Sequence, residues 1–189
     1  MAEEQDNILE QDSQNPSNKK DSAFEEKKKE AQALIESVAT SEEEKKKYQS
    51  IVDSWKDDWG DIKQKYIELA RTIQWETISR LQTLKKDIQI DSDTIKQVLN
   101  EQQNSWIIFN DDLTDAKYKN KITQYYGWFK DNMNLAQQEL AELQKLKAEL
   151  QENWLNDEAT AIQNQIDGLW IRKLQEDFIL YTFWWTDEY

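Results

Sequence analysis

The chain has 189 residues, a formal net charge of −14, three glycines, one proline, and neither cysteine nor histidine. The missing cysteine and histidine exclude disulfides, thiolate chemistry, histidine-dependent hydrolases, histidine-containing zinc sites and carboxylate–histidine di-iron sites. Average usage would give about thirteen glycines and nine prolines, on which the turns between strands depend, so the composition predicts an all-α fold.

The negative charge is concentrated in the second half of the chain. Residues 1–21 carry six acids and two bases, residues 22–90 carry fourteen acids and thirteen bases, and residues 91–189 carry eighteen acids and nine bases. This balance argues against nucleic acid and against anionic membrane surfaces, because both attract Lys and Arg. A basic partner protein fits the charge, and so does solubility alone.

Residues 1–21 are predicted to be a disordered acidic tail, because they are polar and have no apolar periodicity. They contain no apolar stretch of the length that a signal peptide needs, and the chain has no run of eighteen apolar residues. We therefore expect a cytoplasmic protein that is not integral to a membrane. A mature form that had lost its signal would look the same.

Two helix start signals follow the tail. Ser22 with Glu25 and Ser41 with Glu44 have the spacing of a capping box. They predict a short helix over residues 22–39 and a long helix over residues 42–89. The short helix carries a narrow apolar face, formed by Ala31, Leu34, Ile35 and Val38.

The long helix carries apolar residues alternately three and four positions apart, which is a coiled-coil heptad pattern. The positions are Val52, Trp55, Trp59, Ile62, Tyr66, Leu69 and Ile73, then, after a slip near Thr77, Ile78, Leu81, Leu84 and Ile88. A helix of this length spans about 70 Å. We therefore expect an elongated antiparallel helical bundle or coiled-coil hairpin.

Residues 90–114 are predicted to turn the chain, because Asp91, Ser92 or Asp93 can cap a short helix that ends near Asn104. Long helices over residues 115–154 and 157–185 follow, and Gly127 allows a kink in the first of them. Their apolar positions are Met133, Ala136, Leu140, Leu143, Leu146, Leu150 and Trp154, then Ile162, Ile166, Leu169, Trp170, Leu174, Phe178 and Tyr181.

No group of residues carries the signature of a catalytic or metal site. Three isolated glycines cannot form a P-loop or a dinucleotide-binding turn. The segment that starts at Asp91 has Lys96 where a calcium loop needs glycine. We predict that the protein is not an enzyme and has no catalytic residue, no metal site and no cofactor.

The nine tryptophans are far above the usual frequency. Six of them lie at or beside the apolar positions of the predicted helices, and large apolar groups at helical spacing predict a core. The alternative is a tryptophan-lined seam that holds a flat hydrophobic ligand or pigment. The six are Trp55, Trp59, Trp75, Trp128, Trp154 and Trp170.

The chain ends on DFILYTFWWTDEY, residues 177–189, which would be apolar on all sides of a helix. Such a segment packs inside its own bundle, docks on another protein, or enters a membrane interface. The pattern favours docking, with the predicted contact residues Phe178, Tyr181, Phe183, Trp184 and Trp185. A run of acids without a base would steer a partner electrostatically, and consists of Glu149, Glu152, Asp157, Glu158 and Asp167.

The sequence as a whole therefore predicts a non-enzymatic helical scaffold, adaptor or assembly factor that binds another protein or a second copy of itself. Peripheral membrane contact is disfavoured, because the last helix is flanked by acids. One alternative is an acidic decoy that occupies a basic, nucleic-acid-binding surface. Another is a carrier of a hydrophobic ligand.

Overall fold

The computed structural model describes residues 16–56, 59–109 and 112–186, with the side chains of residues 16–22, 59–60, 102–109, 112–115 and 181–186 left undescribed. These ranges contain helices and no strand, which confirms the predicted all-α fold. The helices are α1 (Pro16–Val38), α2 (Glu42–Asp53), α3 (Trp59–Phe109), α4 (Asp112–Glu152), α5 (Asn156–Leu169) and α6 (Ile171–Thr186). No helix within the described part of the chain is long and apolar enough to cross a membrane.

The chain divides into two compact units, Met1–Leu69 and Ala70–Tyr189, where the sequence pattern predicted one bundle over residues 22–189. The first eleven residues of α3 belong to unit 1 and the remainder to unit 2.

Unit 1 has a core built from α1, α2 and the beginning of α3. The apolar face predicted for the first helix is buried as expected. Trp55 and Tyr66 are also buried, and their rings lie 6.2 Å apart. Lys27 extends from α1 to within 5.9 Å of the Tyr66 ring. Aliphatic and aromatic side chains thus hold these helices together.

Two helix boundaries in unit 1 differ from the prediction. Helix α1 begins at Pro16, so Ser22 is not an N-cap and the helix includes residues 16–21 of the predicted disordered tail; residues 1–15 lie outside the described part. The Ser41 cap is confirmed, because its hydroxyl accepts from the backbone N–H of Glu44. Glu44 in turn accepts from the N–H of Thr40, one residue before the cap.

The predicted long helix over residues 42–89 is interrupted after α2. The N–H of Ser54 donates to the carbonyl of Ile51 and the N–H of Trp55 to that of Val52, which closes the last turn of α2. The side chain of Asp61 accepts from the N–H of Lys56 just before α3. The heptad pattern crosses this break, because Val52, Trp55 and Ile62 are all buried although they do not share one helix.

Contacts in unit 2 define the directions of its helices. Arg80 pairs with Glu139, and Asp91 with Asn132, so residue numbers rise along α3 as they fall along α4. Gln137 of α4 bonds Gln175 of α6, and Lys147 of α4 bonds Gln163 of α5, which again gives opposite directions. Unit 2 is therefore an antiparallel bundle in which α5 and α6 together form the third arm.

Residues 90–114 were predicted to turn the chain, but α3 continues through most of this range to Phe109, and α4 begins at Asp112. The buried positions Ile88, Asp91, Ile95 and Val98 are spaced by 3, 4 and 3, so Asp91 occupies a core position of the heptad pattern. Asn132 of α4 donates to its carboxylate at 3.0 Å. Burial raises the pKa of Asp91 and Asp87 repels its charge, while the Asn132 hydrogen bond acts in the opposite direction.

The remaining boundaries also shift. Helix α4 begins at Asp112 and runs through Gly127 without a break. The helix predicted over residues 157–185 is interrupted at Trp170, between α5 and α6. The predicted apolar positions of these helices are buried or half-buried, apart from Trp154 and Trp170, which are exposed, and Tyr181, whose side chain is not described.

Candidate functional site

All four tryptophans of unit 2 whose side chains are described are exposed. The accessible fraction is 73% for Trp75, 47% for Trp128, 87% for Trp154 and 59% for Trp170. The predicted core role is wrong for these four, and holds for Trp55 of unit 1; the side chain of Trp59 is not described. Since these four rings lie on the surface, they do not form the tryptophan-lined seam that a ligand carrier would need.

Trp154 closes helix α4 in a conformation that is unusual for its residue type. Its N–H donates to the carbonyl of Gln151 at 3.0 Å, and the N–H of Leu155 donates to that of Leu150 at 2.8 Å. These two bonds form a Schellman motif, in which glycine normally takes the left-handed position. Here Trp154 takes it, with φ 61°. Leu150 and Leu155 are both buried, so core packing fixes the turn while the indole points outward.

Trp170 is the second residue of this kind. It joins α5 to α6 with φ 57°. Its neighbours Leu169 and Ile171 are both buried. In a continuous helix, residues two apart are rotated by about 200° around the axis and would point to opposite sides. The left-handed residue changes the helix phase so that both neighbours reach the core, and this is why the predicted helix breaks. The ammonium of Lys173 lies 5.3 Å from the centroid of the Trp170 ring.

These are the only non-glycine residues with positive φ among the described residues. A left-handed conformation costs roughly 1–2 kcal/mol for a residue with a side chain, and glycine would avoid that cost. Neither exposed indole compensates through burial in the core of unit 2. Each tryptophan is thus kept at a position where folding alone would favour glycine.

The two tryptophans lie at opposite ends of α5, whose fourteen residues span about 21 Å. The predicted acidic run lies in this region. Glu152, Asp157 and Asp167 are exposed, Glu149 and Glu158 are half-buried, and no base lies between Lys147 and Arg172. We call Trp154, Trp170, Glu152, Asp157 and Asp167 the α5 surface.

Glu158 and Asp167 each contact another side chain of unit 2. Glu158 lies 3.6 Å from the guanidinium of Arg71 on α3. Asp167 accepts a hydrogen bond from Gln163 at 2.8 Å. Arg71 and Trp75 are four residues apart and share one side of α3, so Trp75 lies on the α5-facing side of that helix.

The predicted aromatic contact residues at the C-terminus divide into two groups. Phe178 is only 1% exposed, and its ring lies 3.9 Å from that of Phe129 and 6.2 Å from that of Tyr126. Its placement in the core of unit 2 removes it from the set of exposed contact residues, because a buried ring cannot also contact a partner. The side chains of Tyr181, Phe183, Trp184 and Trp185 lie outside the described part.

Acidic side chains within the described ranges form no group of three or more that could hold a metal ion. Asp91, the first residue of the rejected calcium loop, lies within helix α3.

Comparison with known proteins gives no match: no family model fits the sequence, no curated protein is similar to it, and no solved structure resembles it.

Proposed function

We propose that the protein is a non-enzymatic helical scaffold or adaptor that binds another protein through the exposed tryptophans of unit 2 and the aromatic residues after Leu180. The observation that carries this proposal is the exposure of Trp75, Trp128, Trp154 and Trp170 on a unit whose core is filled by other side chains. Tryptophan is enriched among the residues that dominate binding energy in protein interfaces.

The backbone of Trp154 and Trp170 supports the same proposal. Unfavourable φ values persist only where the surrounding structure enforces them, and they concentrate at binding sites. Both residues have positive φ and an exposed ring. A role in binding accounts for keeping tryptophan at positions where glycine would be more stable.

The acidic-decoy alternative keeps one supporting observation, the net charge of −14. It predicts binding that weakens steeply with salt and does not depend on the tryptophans, since counterion release would provide the affinity. The scaffold proposal predicts weak salt dependence and a large loss of binding when the tryptophans are replaced.

The test is cross-linking and affinity purification of the full chain from its native host, beside two variants. The first ends at Leu180, which keeps Phe178 in the core and removes the aromatic residues that follow. The second combines Trp75→Gln, Trp128→Gln, Trp154→Gly and Trp170→Gly. Circular dichroism of both variants verifies that the helices are intact.

We expect a partner that is enriched by the full chain at physiological salt and is lost with one or both variants. Retention of the same partners by both variants would overturn the proposal. If both variants keep the same partners at physiological salt, and those partners dissociate above about 0.3 M salt, the result would favour the acidic decoy. At that salt concentration charges are screened beyond a few ångströms.

A further inference from the structure

We propose that the α5 surface binds a basic segment of the partner protein, with Trp154 and Trp170 each receiving a cationic side chain of that segment. This inference rests on the proposed function and specifies its site and the chemistry of its partner. It is carried by three independent observations on the α5 surface: the ring environment, the helix ends and the distribution of charge.

The ring of Trp170 already contacts a cation. The ammonium of Lys173 lies 5.3 Å from its centroid, within the distance at which the negative face of an aromatic ring attracts a cation. Tryptophan is the strongest aromatic partner for this interaction, and arginine its most frequent cation. The Trp154 ring is 87% exposed, so it is open to a cation from another molecule.

Both rings stand at the C-terminal end of a helix, Trp154 after α4 and Trp170 after α5. The last carbonyls of a helix carry partial negative charge, which Lys or Arg in the final turn usually complements. Neither α4 nor α5 has a basic residue in its last turn. A cation from a partner would contact the indole face and the negative helix end together.

The surface between the two rings is acidic. Asp157 and Asp167 are exposed on α5, and Glu152 is exposed just before Trp154. A Cβ built on Gly168 meets no atom within 4 Å, so a second helix has room to approach there. The rings are separated by about 21 Å along α5, which matches two cations about fourteen residues apart on one side of a partner helix.

Other occupants fit less well. An anionic phospholipid surface would be repelled by these carboxylates. A second copy of the chain would bring its own net charge of −14 toward the same carboxylates.

The test uses fluorescence anisotropy with a labelled alanine-based helical peptide of about eighteen residues that carries two arginines about fourteen residues apart. A matched peptide has glutamine in place of both arginines. The full chain is compared with Trp154→Gly combined with Trp170→Gly, in which glycine retains the left-handed backbone. Ile90→Ala is the control, because it removes an exposed apolar side chain of α3 that lies far along the helix from the contact of Gln74 with α5.

We expect the arginine peptide to bind the full chain and Ile90→Ala alike, and to lose at least about tenfold in affinity for the double variant. Lys173→Gln should raise the affinity several-fold, because it removes the cation that competes for Trp170. Asp157→Asn with Asp167→Asn should weaken binding and reduce its salt dependence.

Four results would overturn the inference: no binding of the arginine peptide, equal binding of the glutamine peptide, unchanged affinity in the double tryptophan variant, or an equal loss in Ile90→Ala. Sedimentation without peptide tests self-association, and a dimer that is disrupted by Trp154→Gly would assign the surface to a second copy instead. If the peptide fails but cross-linked partners still depend on the exposed tryptophans, only the basic-segment inference falls. If no partner depends on any tryptophan, the proposed function falls.

Discussion

In unit 1, the tryptophan whose side chain is described, Trp55, is buried beside Tyr66. In unit 2, the four described tryptophan side chains are exposed, and the described buried polar groups of the chain, Thr77, Asp91 and Ser92, all belong to that unit. Unit 1 therefore uses its described tryptophan for folding. Unit 2 fills its core with aliphatic side chains, Phe129 and Phe178, and keeps four tryptophans where they add little to its stability.

The most direct test of this difference between the units compares the stability lost in Trp55→Ala with that lost in Trp75→Ala. Removal of the buried ring should lower the free energy of unfolding of unit 1 by about 3–5 kcal/mol, since a large buried group leaves a cavity. Removal of the exposed ring should change that of unit 2 by no more than about 0.5 kcal/mol. Native-state hydrogen exchange of the full chain gives both values, because the exchange is read from peptides of unit 1 and of unit 2 after digestion. Similar losses in the two variants would contradict the comparison.

Phe178→Ala tests whether Phe178 is a buried aromatic core residue of unit 2, as Trp55 is of unit 1. The ring packs on Phe129 near the end of the chain, where neighbouring residues can relax, so we expect a loss near the lower end of the range, about 3 kcal/mol. The neighbouring Ile179→Ala is the control, with a loss below about 1 kcal/mol, because Ile179 is exposed. Urea denaturation provides the measurement, and equal losses would place Phe178 outside the core.

A smaller effect of opposite sign is expected for Trp154→Gly. Glycine adopts positive φ without the steric cost of a Cβ, so the variant should gain about 1 kcal/mol in free energy of unfolding. Trp75→Gly, in the middle of α3, should lose about 0.5 kcal/mol because glycine disfavours helix. Thermal and urea denaturation measure the change in free energy of unfolding of each variant. A loss at position 154 would mean that the indole stabilises unit 2 after all.

The smallest expected effect concerns the buried carboxylate of unit 2. Because the folded state raises the pKa of Asp91, the folded protein binds this proton more tightly than the unfolded chain does. Stability from this group therefore rises as pH falls through the folded-state pKa, and at neutral pH the charge is destabilising. Asp91→Asn should raise the melting temperature at pH 7 and flatten its increase toward acid pH, as seen in melts across that range. A lower melting temperature at pH 7 would show that the charge is stabilising.

The composition was sufficient to predict the all-α fold, and the apolar spacing predicted most of the core. Ala31 and Leu34 in α1, Ile73 and Ile88 in α3, and Leu143 in α4 have the predicted burial. The C-terminal end of α3 was misplaced because Asp91 and Ser92 resemble cap residues. Asp91 is instead paired with Asn132 of α4, which is distant in sequence.

The α5 surface was predicted only in part. The acidic run and the unusual number of tryptophans were evident, but the core role assigned to the tryptophans was wrong for four of them. A usable signal lay in their neighbours: Leu155 follows Trp154, and Leu169 and Ile171 flank Trp170. Adjacent residues on a helix point about 100° apart, so only one of two neighbours can occupy the centre of the core. The left-handed backbone had no such signal, because glycine is absent from both positions.

The Asp91–Asn132 pair also determines how α3 and α4 align. If one helix slid by a heptad along the other, the aliphatic side chains would still meet aliphatic side chains. The carboxylate would lose its amide donor, however, and an unsatisfied buried polar group costs about 1–3 kcal/mol. Together with the Arg80–Glu139 pair, this polar contact distinguishes the native pairing from its shifted copies, a discrimination that a purely apolar interface of repeating leucines and isoleucines would lack.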